Sequence, residues 1–259
     1  MTFDIEQTVK KGYEQYSPGQ ITAIKSRYEN ARKFAIDIFG NRKIERWLDI
    51  GPNKSSGPEI LSQLETKLTI VDIQADYLKN GLDGKPKITG AMMDGCALGF
   101  PNETFDVITS LEVVEHMDSE KQKQILAEAG RVLKEDGLLI ISTPNKVASG
   151  KRAMSPDHKN ELSPDELRKS LDEAGFEIKK ELGQWFFNES LFHQLFRQAR
   201  QNPLAVYIYY HLLPWQLRKQ VRDITLISQK DVEIRPANEN ETPRITYMVC
   251  QKKRDDELL

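Results

Sequence analysis

WLDIGPNKSSGPEIL, residues Trp47 to Leu61, is the stretch from which the fold is read. An apolar run (Trp47, Leu48, Ile50) stops at Gly51, a small polar loop follows, and a helix is expected from Pro58. A strand that ends in glycine and feeds a helix N-terminus is how a doubly wound α/β fold grips a nucleotide. Glycine lets the backbone turn tightly and approach a ligand closely. The loop has one early glycine rather than three, and Asn53, Lys54 and Ser55 stand where a fuller fingerprint is glycine-rich.

Working outward, Leu68-Thr-Ile-Val-Asp72 is a second β-branched run that ends in an acid. An acid about 20 positions beyond the glycine loop suits a bidentate grip on ribose hydroxyls. Met93-Asp94-Gly95, Thr104 to Ser110 and Leu138 to Thr143 continue the series of strand-like runs. Because helix-like stretches alternate with them, the sheet should be parallel and covered on both faces. Phe176 to Leu182 and Arg244 to Lys252 read as two further strands.

LDIG, then IVDIQ, then MDGCALGFPNETFDVITSLEVVEHM, then AGRVLKEDGLLIISTPN resembles the class I S-adenosylmethionine-dependent methyltransferases, in order and spacing, over roughly Arg46 to Leu182. The resemblance implies a Rossmann-like, doubly wound seven-stranded sheet of order 3-2-1-4-5-7-6 with strand 7 antiparallel. It implies S-adenosylmethionine as cofactor. Asp72, with Ile73 beside it, would take the ribose, and Asp94 and Gly95 the adenine edge. Gly51, Asn53 and Leu111 would line the cofactor's path. Asp49 is read either as a partner of the cofactor's ammonium group or as an acceptor for loop amides. The departures at Pro52 and Asn53 also leave open a non-catalytic cofactor-binding scaffold.

Glu112-Val-Val-Glu115-His116 follows the fourth strand, where doubly wound folds place ligands. Positions i, i+3 and i+4 share a helix face. The loop after the fifth strand leads to His158, so two carboxylates and two imidazoles can meet. By resemblance to ubiquinone-pathway O-methyltransferases and to small-RNA 3′-terminal 2′-O-methyltransferases, Glu112, Glu115, His116 and His158 are candidate ligands of a divalent metal such as Mn or Mg. Two nitrogen ligands suit Mn, Fe, Co or Zn better than Mg. The same pattern occurs in methyltransferases without metal. There His158 or His116, with Glu115 adjacent, would act as general base. The expected reaction is methyl transfer to a hydroxyl of a small molecule, a sugar, glycolipid or quinol-like ring. The rival is RNA 2′-O-methylation.

The chain has 259 residues, a net charge of −2 and a pI near 6.2. That balance argues against DNA and against RNA as partners, since phosphate binding wants clustered Lys and Arg. Cys96 and Cys250 form no CxxC, so no disulfide framework or zinc ribbon is expected. MTFDIEQTVKKGYEQ carries no apolar run of signal-peptide type, and no window reaches the ~18 apolar residues of a membrane span. The expectation is a cytoplasmic protein of open oligomeric state.

Residues 1–45 are expected to be helical, with Ile21, Ile24, Tyr28, Ala31, Ala35, Ile38 and Phe39 at helical spacing and Gly40 as the stop, as a helix packed on the sheet edge or as an N-terminal helical lid over the cofactor. Tyr13 and Tyr16 would face substrate in the lid reading. Residues 46–182 plus 244–254 form the core. Residues 183–243 are expected to be a helical cap in which nine of the 21 aromatics fall between Trp185 and Trp215. With Arg197, Arg200, Arg218, Lys219 and Arg222, the 185–222 stretch suits the wall of an acceptor pocket or contact with an anionic membrane surface. His193 and His211 are read as structural parts of that cap.

Overall fold

The computed structural model describes residues 18–53, 55, 57–82, 88–149, 155–188, 233–237 and 241–253. Tyr13, Tyr16, the cap from 189 to 232 with His193 and His211, and the C-terminal 254–259 lie outside the described residues, as do the side chains of Phe186 and Phe187.

Helix α1, Pro18–Phe39, precedes strand β1, Arg46–Ile50. Its apolar positions recur with the helical period and Tyr28, Ala31, Ala35 and Phe39 bury on the sheet. The helix stops at Gly40, whose amide returns to the Ile36 carbonyl at 2.9 Å. After β1 come α2 (Gly57–Leu61), β2 (Lys67–Asp72), α3 (Ala75–Leu82), β3 (Ile88–Met92) and β4 (Phe105–Leu111). A single 3-10 turn at Val114–His116 leads into α4 (Ser119–Val132), β5 (Leu133–Pro144) and the short α5 (Lys146–Ser149). Then follow α6 (Pro164–Glu173), β6 (Phe176–Asn188) and β7 (Glu241–Lys252).

The strands form one sheet in the order β3-β2-β1-β4-β5-β7-β6. The first five pair in parallel and β7 runs antiparallel to both neighbours, so the expected topology is met. Two apolar layers cover it. On one face Leu48, Ile108, Ile141 and Met248 pack with Ile125, Leu126 and Ala129 of α4. On the other, Trp47, Ile70, Val107, Ile140 and Tyr247 pack with Tyr28, Ala31 and Ala35 of α1. Burial on both faces is why β4 reads as an unbroken buried run rather than an alternating one.

Several boundaries differ from expectation, among them β5, which begins at Leu133 rather than Leu138. The third strand is Ile88–Met92, and Met93-Asp94-Gly95 forms the turn after it, because Asp94 folds its carboxylate onto the Cys96 amide at 2.9 Å. Helix α2 has five residues only. The last two strands are longer than read: β6 runs through Asn188 and β7 begins at Glu241, in a ladder that continues to the Asn188–Glu241 pair. Trp185, Phe186 and Phe187 therefore start as strand residues, in keeping with the preference of aromatics for a pleated surface. The capping box at Ser163-Pro-Asp-Glu166 is formed as expected, with Ser163 and Glu166 bonding reciprocally. Among the described residues no helix is long and apolar enough to cross a membrane.

Helix α1 meets the glycine loop through Tyr28. A Cβ built on Gly57 would fall 2.1 Å from the Tyr28 ring, which is itself buried. Gly57→Ala should therefore overpack this contact and lower stability by about 1–3 kcal/mol. Urea denaturation checks this, and an unchanged midpoint would contradict the packing described.

Candidate active site at the carboxyl ends of the strands

The parallel strands deliver Gly51, Asp72, Met93 and Glu112 to the same end of the sheet, because each ends or directly follows its strand. Gly51 has φ +66, and a Cβ there would sit 2.8 Å from the Val113 side chain, so both conformation and space demand glycine. Asn53 takes φ 53. Asparagine tolerates this left-handed conformation better than most residues, so it can stand where a fingerprint glycine would. The apparent erosion of the loop is thus a conformational substitution.

Asp72 ends β2 with its carboxylate accepting from the Gln74 amide at 2.9 Å, and the Asn53 and Ile73 amides also face it. Burial raises its pKa while these amides oppose the rise. Ile73, which follows Asp72, and Met92, which pairs with Asp72 across β2–β3, are each 67% exposed. Two large apolar side chains thus stand in water near a strand-end acid. Asp94 stands past β3, its pKa lowered first by the Cys96 amide and further by Lys121 at 3.7 Å. Gly95 lies against Ile125 and Ile50, where a Cβ would approach within 2.9 Å. Leu111 is buried at the end of β4.

Asp49 is fully buried and braces β1 to β4, accepting from the Thr109 hydroxyl at 2.6 Å. Burial lifts its pKa to about 7, with Thr109 and the facing Tyr28 phenol countering part of the rise. Its Oδ2 is buried with no partner at hydrogen-bonding distance and angle among the described residues.

The second half of the site is a cluster of Glu115, His116 and His158, whose ligand atoms lie within 4.8 Å of one another. The two imidazoles meet edge to face, centroids 5.1 Å apart. His158 Nδ1 contacts Glu161 Oε1 at 2.6 Å and His116 Nδ1 contacts the Asp157 carbonyl at 3.2 Å. Each partner accepts, so in the neutral rings each Nδ1 carries the proton and each Nε2 keeps its lone pair. Glu115 is almost fully buried and accepts from Thr143. Burial first, and the Glu112 charge second, push its pKa well above the carboxylate range.

Glu112 does not join this cluster. It precedes the 3-10 turn rather than sharing a helix face with Glu115, takes φ 60, and accepts from the Ser142 hydroxyl at 2.8 Å. The donor set that remains, one carboxylate and two imidazoles with outer hydrogen bonds on their Nδ1 atoms, fits a first-row divalent ion.

The structure adds Met92, Thr143, Glu161, Gln122 and Arg27 to the residues singled out from sequence. Glu161 was visible as the end of Asp-His-Lys-Asn-Glu, three residues from His158, a spacing that allows the contact. Gln122 had no signal beyond being a polar residue that proves buried. A groove of about 470 Å³ lined by Lys43, Glu45, Arg46, Glu65 and Lys67 lies at the opposite, amino end of β1 and β2, remote from every residue above.

Because the folded state raises the Asp49 pKa, it holds a proton that the unfolded chain gives up near pH ~4. Stability from this group is complete below that pH and is lost as pH rises toward 7. Between those limits, ligand-free wild type should lose on the order of a few kcal/mol relative to Asp49→Asn. Chemical denaturation across this range checks it, and parallel profiles would contradict it.

Residues 48–141 match the family model described as a methyltransferase domain. The chain is 28% identical over 132 residues to a protein of Mycobacterium tuberculosis named "Probable S-adenosylmethionine-dependent methyltransferase", covering 50% of this chain and 47% of that one. It is 34% identical over 98 residues to a ubiquinone biosynthesis O-methyltransferase of Glaesserella parasuis, covering 32% of this chain and 41% of the relative. The chain thus spans about half or less of the length of these curated relatives. Among solved structures, a Burkholderia thailandensis 1,6-didemethyltoxoflavin N1-methyltransferase superposes with a TM-score of 0.58 over 97% of this chain and 86% of its own, at 12% identity, which shows the fold alone. Residues 48–141 thus match a methyltransferase domain, and the sheet around them has the strand order that the resemblance to class I, S-adenosylmethionine-dependent methyltransferases implies.

Proposed function

We propose that the protein transfers the methyl group of S-adenosylmethionine to a hydroxyl oxygen of a small-molecule acceptor, a sugar, a sugar-bearing lipid or a quinol-like ring. The observation that carries this reading is the pair of imidazoles, His116 and His158, at the same end of the sheet as the cofactor-site residues. Asp72 would take the ribose hydroxyls, and Ile73 and Met92 would flank the adenine, whose amino group would meet Asp94. The unpartnered Asp49 Oδ2 and the Gly51 turn suit the amino-acid end of the cofactor. When bound, S-adenosylmethionine supplies an electrophilic methyl group.

The difficult part of such a reaction lies with the acceptor, because a neutral hydroxyl is a poor nucleophile. His158 is the better placed base. Its Nδ1–H is held by Glu161, which fixes the tautomer, orients the ring and stabilises the imidazolium as Nε2 takes the acceptor's proton. His116 is oriented by a neutral carbonyl and lacks that charge support. In a metal-assisted variant the two Nε2 atoms, with Glu115, would instead hold a divalent ion, which would supply Lewis acidity toward the acceptor hydroxyl in place of a histidine base. The partial likeness to a ubiquinone biosynthesis O-methyltransferase supports oxygen as the acceptor atom.

The experiment is incubation of the protein with methyl-labelled S-adenosylmethionine and a fractionated host extract, with and without chelator. Label should appear in a lipid or small polar fraction. Label only in amines or protein would end the O-methyl reading. Loss on chelation, restored by Mn or Mg, would assign the Glu115, His116 and His158 cluster to metal. His158→Ala should lower kcat by roughly 10²–10⁴ with cofactor affinity unchanged, and an equal fall in both would place His158 in binding instead.

A further inference from the structure

Arg27 of α1 is a buried cation, 6% exposed. A guanidinium stays charged at every pH a folded protein meets, and burying it without an opposite charge is costly. Its Nη1 donates to Gln184 Oε1 at 2.9 Å, a neutral partner. Among the described residues no carboxylate lies at ion-pair distance from it. The position is built rather than incidental. Gln184, fully buried, donates from Nε2 to the Ala23 carbonyl at 3.1 Å, which turns its oxygen toward Arg27. The Tyr247 hydroxyl donates to the Arg27 carbonyl at 3.2 Å and fixes that turn of the helix.

The sheet register says where this charge stands. Gln184 pairs with Ile245, and Ile245 pairs with Pro144, the last residue of β5. Arg27 is therefore level with the carboxyl end of β5, one step past the Thr143 that holds Glu115. Two interstrand spacings, roughly 10 Å, separate those two rows. The Arg27 charge is felt at Glu115, where it opposes the rise in pKa. Glu112, the other acid at this end, is engaged by Ser142.

We propose that Arg27 is the anion-recognition residue of the acceptor site, and that the methyl acceptor carries a carboxylate or phosphate in addition to its reactive hydroxyl. This rests on the methyltransferase reading above and narrows it to the acidic members of the acceptor classes. Only part of the guanidinium's donor set is spent on Gln184, and the rest can meet an anion in a charge-assisted pair. A purely structural Arg27 would tie α1 to β6 and leave ligand preference untouched.

The test is calorimetric binding, in saturating S-adenosylhomocysteine, of matched probes: glucuronate against glucose, glucose 6-phosphate against glucose, and 3,4-dihydroxybenzoate against its amide. At least one acid should bind wild type tenfold or more tightly than its neutral partner, and whether carboxylate or phosphate gains shows which anion the site takes. Arg27→Met should abolish that preference, and Arg27→Lys should weaken it several-fold, because an ammonium cannot offer the planar fork. No acid preference with any pair, a preference that survives Arg27→Met, or one that Arg27→Lys leaves unchanged would overturn the proposal. If Arg27→Met does not fold by circular dichroism, the wild-type and Arg27→Lys results decide. Binding of S-adenosylhomocysteine alone reports separately on the cofactor reading, so failure of one is not mistaken for failure of the other.

Discussion

The site depends on one knot of backbone hydrogen bonds at Glu115. Its carbonyl accepts from the amides of both Lys159 and Asn160, at 2.8 and 3.1 Å. Gln122 of α4 closes the knot, donating to the carbonyls of Val114 and Asn160 while its own oxygen takes the Asn160 side chain. These bonds tie the loop after β5 to the turn after β4. Without them His158, forty-two positions along the chain from His116, would have no fixed place beside it. Because Gln122 and Glu115 are buried, water cannot replace the bonds, and each unmade one would cost about 1–3 kcal/mol. The buried Glu115 side chain is a consequence of the same knot: the backbone that pins the loop also carries the carboxyl under the histidines.

Parallel pairing then does the larger-scale assembly. Strands that run together end together, so an acid after β2, a turn after β3 and a histidine cluster after β4 and β5 share one edge of the molecule without any long-range contact being specified for them. Helix α1 packs on one face of the sheet and sends consecutive residues to two places. Tyr28 reaches Asp49 and the glycine loop, and Arg27 reaches Gln184 and the end of β5. The helix thus contributes a buried tyrosine to the glycine-loop side and a buried arginine to the other side.

Much of this was legible in the residues. Apolar runs ending in Gly51 and Asp72 gave the strand ends, since buried parallel strands are unbroken hydrophobic stretches. The capping box and Gly40 marked helix ends through local chemistry. What was not legible came from tertiary bonds. Asn53 looked like damage to a glycine loop until its φ showed that it supplies the same backbone conformation. Glu112 looked like a ligand because helical spacing was assumed, yet a left-handed residue and Ser142 turn it aside. Arg27 sits among helical charges in the sequence, and nothing local distinguishes this buried cation from solvated ones such as Lys33.

The central claim is that the cofactor binds across the carboxyl ends of β1, β2 and β3. Hydrogen–deuterium exchange with and without S-adenosylhomocysteine tests it directly. Protection should gather at Gly51 to Asn53, Ile73 to Gln74 and Met93 to Cys96. Protection instead along the groove between Lys43 and Lys67, at the amino ends of the same strands, would contradict the account.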